Sequence, residues 1–191
     1  IVAVAGLSEA SVSDTLCDLS VTTAVPALAI DPATLSMTVS VNDSPLCGLE
    51  GDKVTSRLIW DRLVREAEGN VAIKVRQSEN NDSFEVSGRG ELQLGVLIEM
   101  MRREGFELSV GRPRVIYRTD PETGQRLEPI EEVVIDVDDA FTGVVVEQIS
   151  IRKGELQDMR PSGAGKTRLV FYAPSRGLIG YHGEFLTDTR G

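Results

Sequence analysis

The sequence Glu91-Leu-Gln-Leu-Gly-Val-Leu-Ile-Glu-Met-Met-Arg-Arg-Glu104 carries the strongest helical pattern in this chain. Its apolar residues recur at spacings of three and four, which places them on one face of a helix. They are Leu94, Leu97, Ile98 and Met101. Gly105 follows at the position where a left-handed glycine commonly ends a helix. The stretch therefore predicts an amphipathic helix that packs its apolar face against other elements.

Segments of alternating apolar and polar residues flank this helix on both sides, and such alternation is typical of half-buried strands. They are Val71, Ile73 and Val75, then Phe84 and Val86 after the polar residues Asn80–Asp82, and Phe106, Leu108 and Val110 beyond the helix. The polar turn predicts that the first two segments form a hairpin.

A further strand and helix are predicted before the hairpin. The strand is indicated by Met37, Val39 and Val41, and the helix by Val54, Leu58, Ile59 and Leu63 within residues 53–67. Asp52 is expected to cap this helix and Gly69 to end it. The order over residues 34–112 is βαββαβ, which predicts a ferredoxin-like unit of the α+β class.

Residues 113–191 repeat this pattern in part. The predicted elements are a strand at Val133–Val137, a helix carrying Phe141, Val144, Val145 and Ile149, strands at 155–160 and 167–172, and a helix at about 175–186. Asp139 is expected to cap the first helix, although Val144-Val145-Val146 also suits a strand. The order βαββα predicts a second ferredoxin-like unit that lacks its last strand.

Residues 1–33 are expected to be the end of a preceding β domain followed by a linker. Ile1-Val-Ala-Val-Ala-Gly6 is an apolar run without a start methionine, as though the chain began inside a strand. Pro26 and Pro32 then favour extended or turn conformations in a stretch rich in Ser, Thr and Asp.

The composition indicates an ordinary globular chain. The 191 residues are 41% hydrophobic and 26% charged. No run approaches the roughly 18 apolar residues of a membrane-spanning helix, and no secretory signal is evident.

Cys17 and Cys47 lie far apart, outside any C-x-x-C or Cys/His cluster. This favours two reduced thiols in a cytoplasmic protein over a disulfide scaffold or a zinc site.

The net charge of −10 is unevenly distributed along the chain. Residues 1–50 carry six acids and no Lys or Arg, whereas residues 151–191 carry seven basic residues against four acids. A surface that faces phosphate is therefore expected in the last segment. The candidate RNA contacts are Arg152, Lys153, Arg160, Lys166, Arg168, Arg176 and His182.

The sequence Ser162-Gly-Ala-Gly-Lys-Thr167 is similar to the end of a nucleotide-binding P-loop. A P-loop requires glycine at the position that Arg160 occupies, and it opens a helix, whereas residues 167–172 alternate like a strand. The better interpretation is a glycine-rich hairpin whose basic residues suit nucleic-acid phosphates. No nucleotide-binding residue is expected in this chain.

No catalytic or metal-binding set is expected either. Asp136 and Asp138 share one face of a predicted strand, with Asp139 beside them, but that face is solvated and no further ligand is evident. A histidine-dependent triad could use only His182. That residue is predicted to be a packed or rim histidine on the apolar face of the last helix, with an RNA contact as the alternative.

Two parts of the chain resemble translational GTPases of the elongation factor G type. Ser87-Gly-Arg-Gly-Glu-Leu-Gln-Leu-Gly95 resembles their third domain. The series from Glu128-Pro-Ile through Ala140-Phe-Thr-Gly143 to Arg152-Lys-Gly-Glu155 resembles the start of their fifth domain. One departure is Gln93, where many relatives carry histidine.

The connection between these parts is short. Gly111-Arg-Pro-Arg-Val-Ile-Tyr-Arg118 runs almost directly into Glu128, which leaves no room for the fourth domain of elongation factor G. Together with the sequence of residues 175–191, this arrangement resembles the BipA/TypA family, with the LepA family as its nearest competitor. The resemblance implies that residues 1–33 are the end of the family's second domain, a β-barrel, followed by a linker.

The resemblance implies a cytoplasmic, ribosome-associated GTPase linked to translation, ribosome assembly and stress adaptation. GTP and Mg²⁺ would bind in a domain outside these residues, so this chain should have no enzymatic activity alone. The implied partners are the ribosome, through RNA and proteins near the factor-binding site, and the GTP-binding domain of the same protein, with no membrane partner. The alternatives are a LepA-type segment and a protein-interaction scaffold without RNA binding.

Overall fold

The computed structural model describes residues 2–7, 12, 14–26, 31–78 and 83–191. The chain divides into two compact units between Arg112 and Pro113. The α+β class predicted from the sequence is confirmed, since each unit combines helices with antiparallel strands. No helix in the described residues is long and apolar enough to cross a membrane.

The first unit has the predicted βαββαβ order. Its elements are β1 (Leu35–Val41), α1 (Ser56–Gly69), β2 (Lys74–Gln77), β3 (Ser83–Gly88), α2 (Glu91–Arg103) and β4 (Leu108–Val110). The four strands lie in one antiparallel sheet in the order β2-β3-β1-β4. This is the ferredoxin-like arrangement.

The predicted apolar faces form the core of the first unit. Its fully buried side chains include Leu94, Leu97 and Met101 from α2, Ile59 and Leu63 from α1, and Val39, Phe84 and Val86 from the sheet. Full burial of one Val, Leu, Ile, Phe or Met side chain stabilises a fold by about 1.5–3 kcal/mol. Leu58, which was expected on the same face of α1, is 43% exposed.

The end of α2 is confirmed at Gly105, whose φ is +88°. The Gly105 N–H donates to the Arg102 carbonyl, and the Phe106 N–H donates to the Met101 carbonyl, both at 3.0 Å. These two bonds form a Schellman motif, which turns the chain directly into the next segment.

That segment brings Glu107 against the loop that follows β1. Its carboxylate accepts hydrogen bonds from the backbone N–H groups of Gly48 (2.8 Å), Glu50 (2.7 Å) and Gly51 (2.9 Å) and from the Asn42 amide (3.1 Å). The loop amides have no strand to pair with here, so a single carboxylate satisfies three of them. These bonds, led by those from Gly48 and Glu50, lower the pKa of Glu107 to about 2.

We expect E107Q to reduce the change in the free energy of unfolding between neutral and acidic pH. The pKa of Glu107 is lowered in the folded chain, so its stabilising contribution is complete above its ordinary value of 4.5 and is lost as the pH falls towards 2. Urea unfolding at pH 7 and pH 3 should therefore show a smaller difference for E107Q than for the unaltered chain. E85Q, at an exposed strand position, serves as the control. Equal pH dependence in all three proteins would contradict this assignment.

The second unit contains a three-stranded sheet and a separate two-stranded ribbon. Its elements are β5 (Arg114–Val115), β6 (Arg118–Thr119), β7 (Arg126–Leu127), β8 (Ile130–Asp138), a 3-10 helix (Asp139–Phe141), α3 (Thr142–Ile151), β9 (Glu155–Gly163), β10 (Lys166–Pro174), α4 (Ser175–Leu178) and α5 (Tyr181–Asp188). The sheet order is β8-β10-β9, and β6 pairs with β7. The helix prediction over Val144-Val145-Val146 is confirmed by α3, whereas the strand alternative is wrong.

The core of the second unit lies between this sheet and its helices. Its buried residues are Ile135 and Val137 of β8, Val145 and Ile149 of α3, Leu169 and Phe171 of β10, and Tyr181 of α5. The helix predicted at about 175–186 is interrupted at Gly180, whose φ is +77°. This break resets the helical phase, so Tyr181 faces the core and His182 is exposed. The packed position predicted for His182 is therefore wrong, whereas the rim position agrees with its exposure.

Two predicted helix caps are also wrong. Asp52 lies upstream of Thr55, which is the N-cap of α1. Asp139 lies in the 3-10 helix before α3, and its carboxylate accepts a hydrogen bond from the Thr167 hydroxyl at 2.7 Å. In the second case a partner 28 residues away replaces the local capping bond.

The segment before Leu35 differs from its prediction. Its described residues, 2–7, 12, 14–26 and 31–34, form no strand, and most are exposed. The strand expected at the start of the chain is therefore not found in residues 2–6, while Ile1 lies outside the described residues. The polar turn predicted at Asn80–Asp82 also lies outside them.

Candidate functional site

The glycine-rich stretch of the second unit forms the tip of a hairpin between β9 and β10. Gly163, Ala164 and Gly165 all have positive φ angles, of 88°, 53° and 72°. Lys166 begins a strand and not a helix, which confirms the prediction made from residues 167–172. The tip therefore does not fit a P-loop, because no helix N-terminus is present to receive phosphate.

Three predicted contacts lie together near this tip. Arg168 donates two hydrogen bonds to the Asp136 carboxylate, at 2.8 and 2.7 Å. Arg160 lies directly across the sheet from Arg168 in the β9–β10 register. Two cations at directly opposed strand positions repel each other, so this arrangement favours a nearby anion. The hydrogen bonds from Arg168 lower the pKa of Asp136 and keep that carboxylate ionised.

Arg160 and Lys166 are less firmly paired than Arg168. Their nearest carboxylates are Asp158, at 3.6 Å, and Asp138, at 3.9 Å, and their side chains are 63% and 55% exposed. Exposed pairs of this length contribute about 0–1 kcal/mol. These two cations can therefore turn towards a phosphate at little cost, whereas Arg168 would have to leave a bidentate partner.

Arg152 lies mainly inside the unit. Its side chain is 18% exposed and contacts the Glu184 carboxylate, the Gln148 side chain and the ring of Tyr181. The backbone of Gly177 also approaches it closely, since a Cβ there would lie 2.5 Å from the Arg152 carbonyl oxygen. This geometry makes Arg152 a connection between α3, α4 and α5.

The neighbouring Lys153 has the opposite environment. It is exposed and has a φ of +69°, which is unusual for a residue other than glycine. The N–H groups of Lys153 and Gly154 donate to the Ser150 and Ile149 carbonyls, both at 2.9 Å, so Lys153 occupies the left-handed position of a second Schellman motif. Holding a lysine there costs about 1 kcal/mol and projects its ammonium from the end of α3.

The remaining candidates are on the last helices. Arg176 of α4 donates to the Glu128 carboxylate at 2.8 Å, and His182 of α5 is exposed. The structure thus brings Arg160, Lys166 and Arg168 together on one end of the sheet. In the described residues, no group of three or more His, Cys, Asp or Glu side chains could hold a metal ion. Cys17 and Cys47 are exposed free thiols.

Sequence reasoning did not assign a role to Gln93. Its side-chain oxygen accepts a hydrogen bond from the Arg89 N–H at 2.8 Å, at the third position of α2. The signal that could have predicted this bond is the glutamine three residues after Gly90, since Gln at that position often reaches back over the helix start.

The geometry of the second unit agrees with a comparison with known families. Residues 125–191 match the family model described as "Elongation factor G C-terminus". This match assigns the second unit to the C-terminal domains of the elongation factor G class, and a ferredoxin-like unit precedes it.

The sequence of the whole chain identifies the family within that class. The chain is 52% identical to the large ribosomal subunit assembly factor BipA of Haemophilus influenzae and of Escherichia coli strain K12, and 51% identical to that of Synechocystis sp.. Each comparison covers 100% of this chain and 31% or 32% of the relative. The chain thus spans about a third of the length of the curated relatives it matches. It belongs to the BipA family, and the resemblance inferred from its motifs is confirmed.

Proposed function

We propose that this chain is the ribosome-binding, conformation-relaying segment of a BipA-type translational GTPase in the cytoplasm. The observation that best supports this proposal is the basic end of the β9–β10 hairpin, where exposed Arg160 and Lys166 flank Arg168 in an otherwise acidic chain. Cations in such a cluster favour RNA phosphates. Lys153 and Arg176 are further proposed contacts, and His182 is accessible for one.

The GTP-binding domain of the same protein is the second proposed partner. On α2, the side chains of Leu92, Val96 and Met100 form an exposed apolar row, with 79%, 49% and 42% of their surfaces accessible. An apolar row on a helix surface favours contact with another protein surface. GTP and Mg²⁺ would bind in that other domain, since the Lys166 turn does not fit a phosphate-binding loop.

The names of the relatives, which are large ribosomal subunit assembly factors, support the proposed role in ribosome assembly. The roles in translation and stress adaptation are proposed on the family resemblance alone. A relay between ribosome and nucleotide is supported by the packing of both units, because closely packed layers move as rigid bodies. Arg152 supports it further, since one side chain contacts residues of both α3 and α5.

Sedimentation of the purified chain with bacterial ribosomes over a salt series tests the proposed function. We expect binding that weakens as salt rises, and we expect R160Q/K166Q to reduce the slope of log affinity against log salt by about one unit or less per contact. R57Q/R76Q, which removes two exposed cations of the first unit, should leave the slope unchanged. Absence of binding, or binding that salt does not affect, would overturn the proposal in favour of a protein-interaction scaffold.

A further inference from the structure

A second basic surface lies at the start of the second unit, on the two-stranded ribbon of β6 and β7. We name it the arginine ribbon and define it by Tyr117, Arg118 and Arg126. Residues 117–119 and 121–127 are all exposed. Both faces of the ribbon are therefore accessible to a partner.

The best-ordered element of the arginine ribbon is a stacked pair. The Arg126 guanidinium carbon lies 3.6 Å from the centroid of the Tyr117 ring. Stacking occupies one flat face of the guanidinium and leaves its N–H donors free along the edge. Because Arg126 is exposed, its opposite flat face suits stacking on a base.

The charges of the arginine ribbon are not neutralised within the part of the chain that the structure describes. There, neither Arg118 nor Arg126 forms an ion pair, in contrast to Arg168 and Arg176. The Asp120 carboxylate is engaged at the turn, where it accepts hydrogen bonds from the Glu122 N–H (2.9 Å) and the Thr123 hydroxyl (2.6 Å). Apart from Asp120, the only acid on the ribbon is Glu122, in the turn itself.

The strand register places the two arginines on opposite faces. Arg118 lies across from Leu127, and Thr119 lies across from Arg126. Directly opposed residues share a face, whereas successive residues alternate between faces. A ribbon with a cation on each face can contact two segments of phosphate backbone at once, as on the two sides of a groove.

The surface continues towards α4, which lies against β5. Arg176 of α4 donates to the Glu128 carboxylate at 2.8 Å, and Glu128 directly follows Leu127 at the end of β7, so Arg176 lies beside the end of the ribbon. The candidate contact at Arg176 and the arginine ribbon are therefore parts of one basic region.

We infer that the arginine ribbon binds the phosphate backbone of RNA, with Arg126 held by the Tyr117 ring and Arg118 on the other face. The inference rests on the proposed ribosome association and assigns that association a contact region outside the β9–β10 hairpin. RNA is favoured over an acidic protein because the stacked guanidinium offers edge donors to phosphate and an open face to a base.

The test compares R118Q/R126Q with the unaltered chain in sedimentation with bacterial ribosomes over the same salt series. We expect the double substitution to reduce the slope of log affinity against log salt by about 1 to 2 units. R57Q/R76Q removes the same number of exposed arginines from the first unit and should leave the slope unchanged. Y117F, which retains the ring, should bind like the unaltered chain, whereas Y117A should bind more weakly.

The outcomes separate this inference from the function on which it rests. If the unaltered chain does not bind ribosomes, the proposed function is overturned, and this inference with it. If the unaltered chain binds and R118Q/R126Q keeps the same slope, only the arginine ribbon is overturned. A photo-crosslinking residue at Thr119 should capture RNA, and capture of ribosomal protein alone would overturn the assignment to RNA.

Discussion

Replacement of Gly154 by alanine is expected to destabilise the second unit by about 3 kcal/mol. A Cβ at this position would overlap Cγ2 of Ile149 and would lie 3.2 Å from Cβ of Ala173. Ile149 and Ala173 are both fully buried, so neither can move aside without disturbing the core. Urea unfolding followed by circular dichroism would measure the loss.

Gly143 provides the control for the Gly154 substitution. It lies in α3, and a Cβ there would meet nothing within 4 Å. Because alanine favours a helix more than glycine does, G143A should stabilise the unit by up to about 1 kcal/mol. If G154A raised the stability of the unit as G143A should, or left it unchanged, the close packing between the end of α3 and β10 would be refuted.

Replacement of Phe84 by alanine is expected to cost the first unit about 3–5 kcal/mol. The Phe84 side chain is fully buried, and its ring centroid lies 5.3 Å from that of Trp60. The substitution removes a large apolar side chain and an aromatic contact and leaves a cavity between α1 and β3. Trp60 is the only tryptophan, so its fluorescence during urea unfolding reports on this region.

A substitution at the neighbouring residue, Glu85, is the control for F84A. Glu85 lies on the opposite, exposed face of the same strand, so E85A should change the unfolding free energy by less than about 0.5 kcal/mol. Similar losses for F84A and E85A would show that the effect arises from the strand backbone and not from core packing.

The regular elements could be predicted because local signals agree with their packing. The apolar spacing of α2 and the glycine after it both indicate the same helix, and the structure buries that face. The local sequence predicted the wrong hydrogen-bond partner where a residue distant in sequence lies close in the fold. Asp139 has the side chain of a helix cap, but the hairpin brings Thr167 within hydrogen-bond distance of it. The break at Gly180 was missed because the apolar pattern continues across the glycine.

The candidate site was predictable as a region but not as a set of interactions. The excess of Lys and Arg indicates the second unit. The strand register decides which cations form ion pairs within the chain. Asp136 and Arg168, for example, are 32 residues apart in sequence and meet only because their strands are neighbours. The burial of Arg152 likewise depends on the packing of α5 against the end of α3. Amino-acid composition predicts neither the strand register nor this helix packing.

The exposed edge of β9 has a consequence for the solution behaviour of the protein. All nine residues of this strand are exposed, and within the residues that the structure describes its only strand partner is β10. An open edge is a template on which a strand from another copy could add. Pro161 removes one backbone donor from that edge, and Asp158 and Arg160 add charge. Arg160 is thus both a proposed RNA contact and a charge that discourages self-association through this edge.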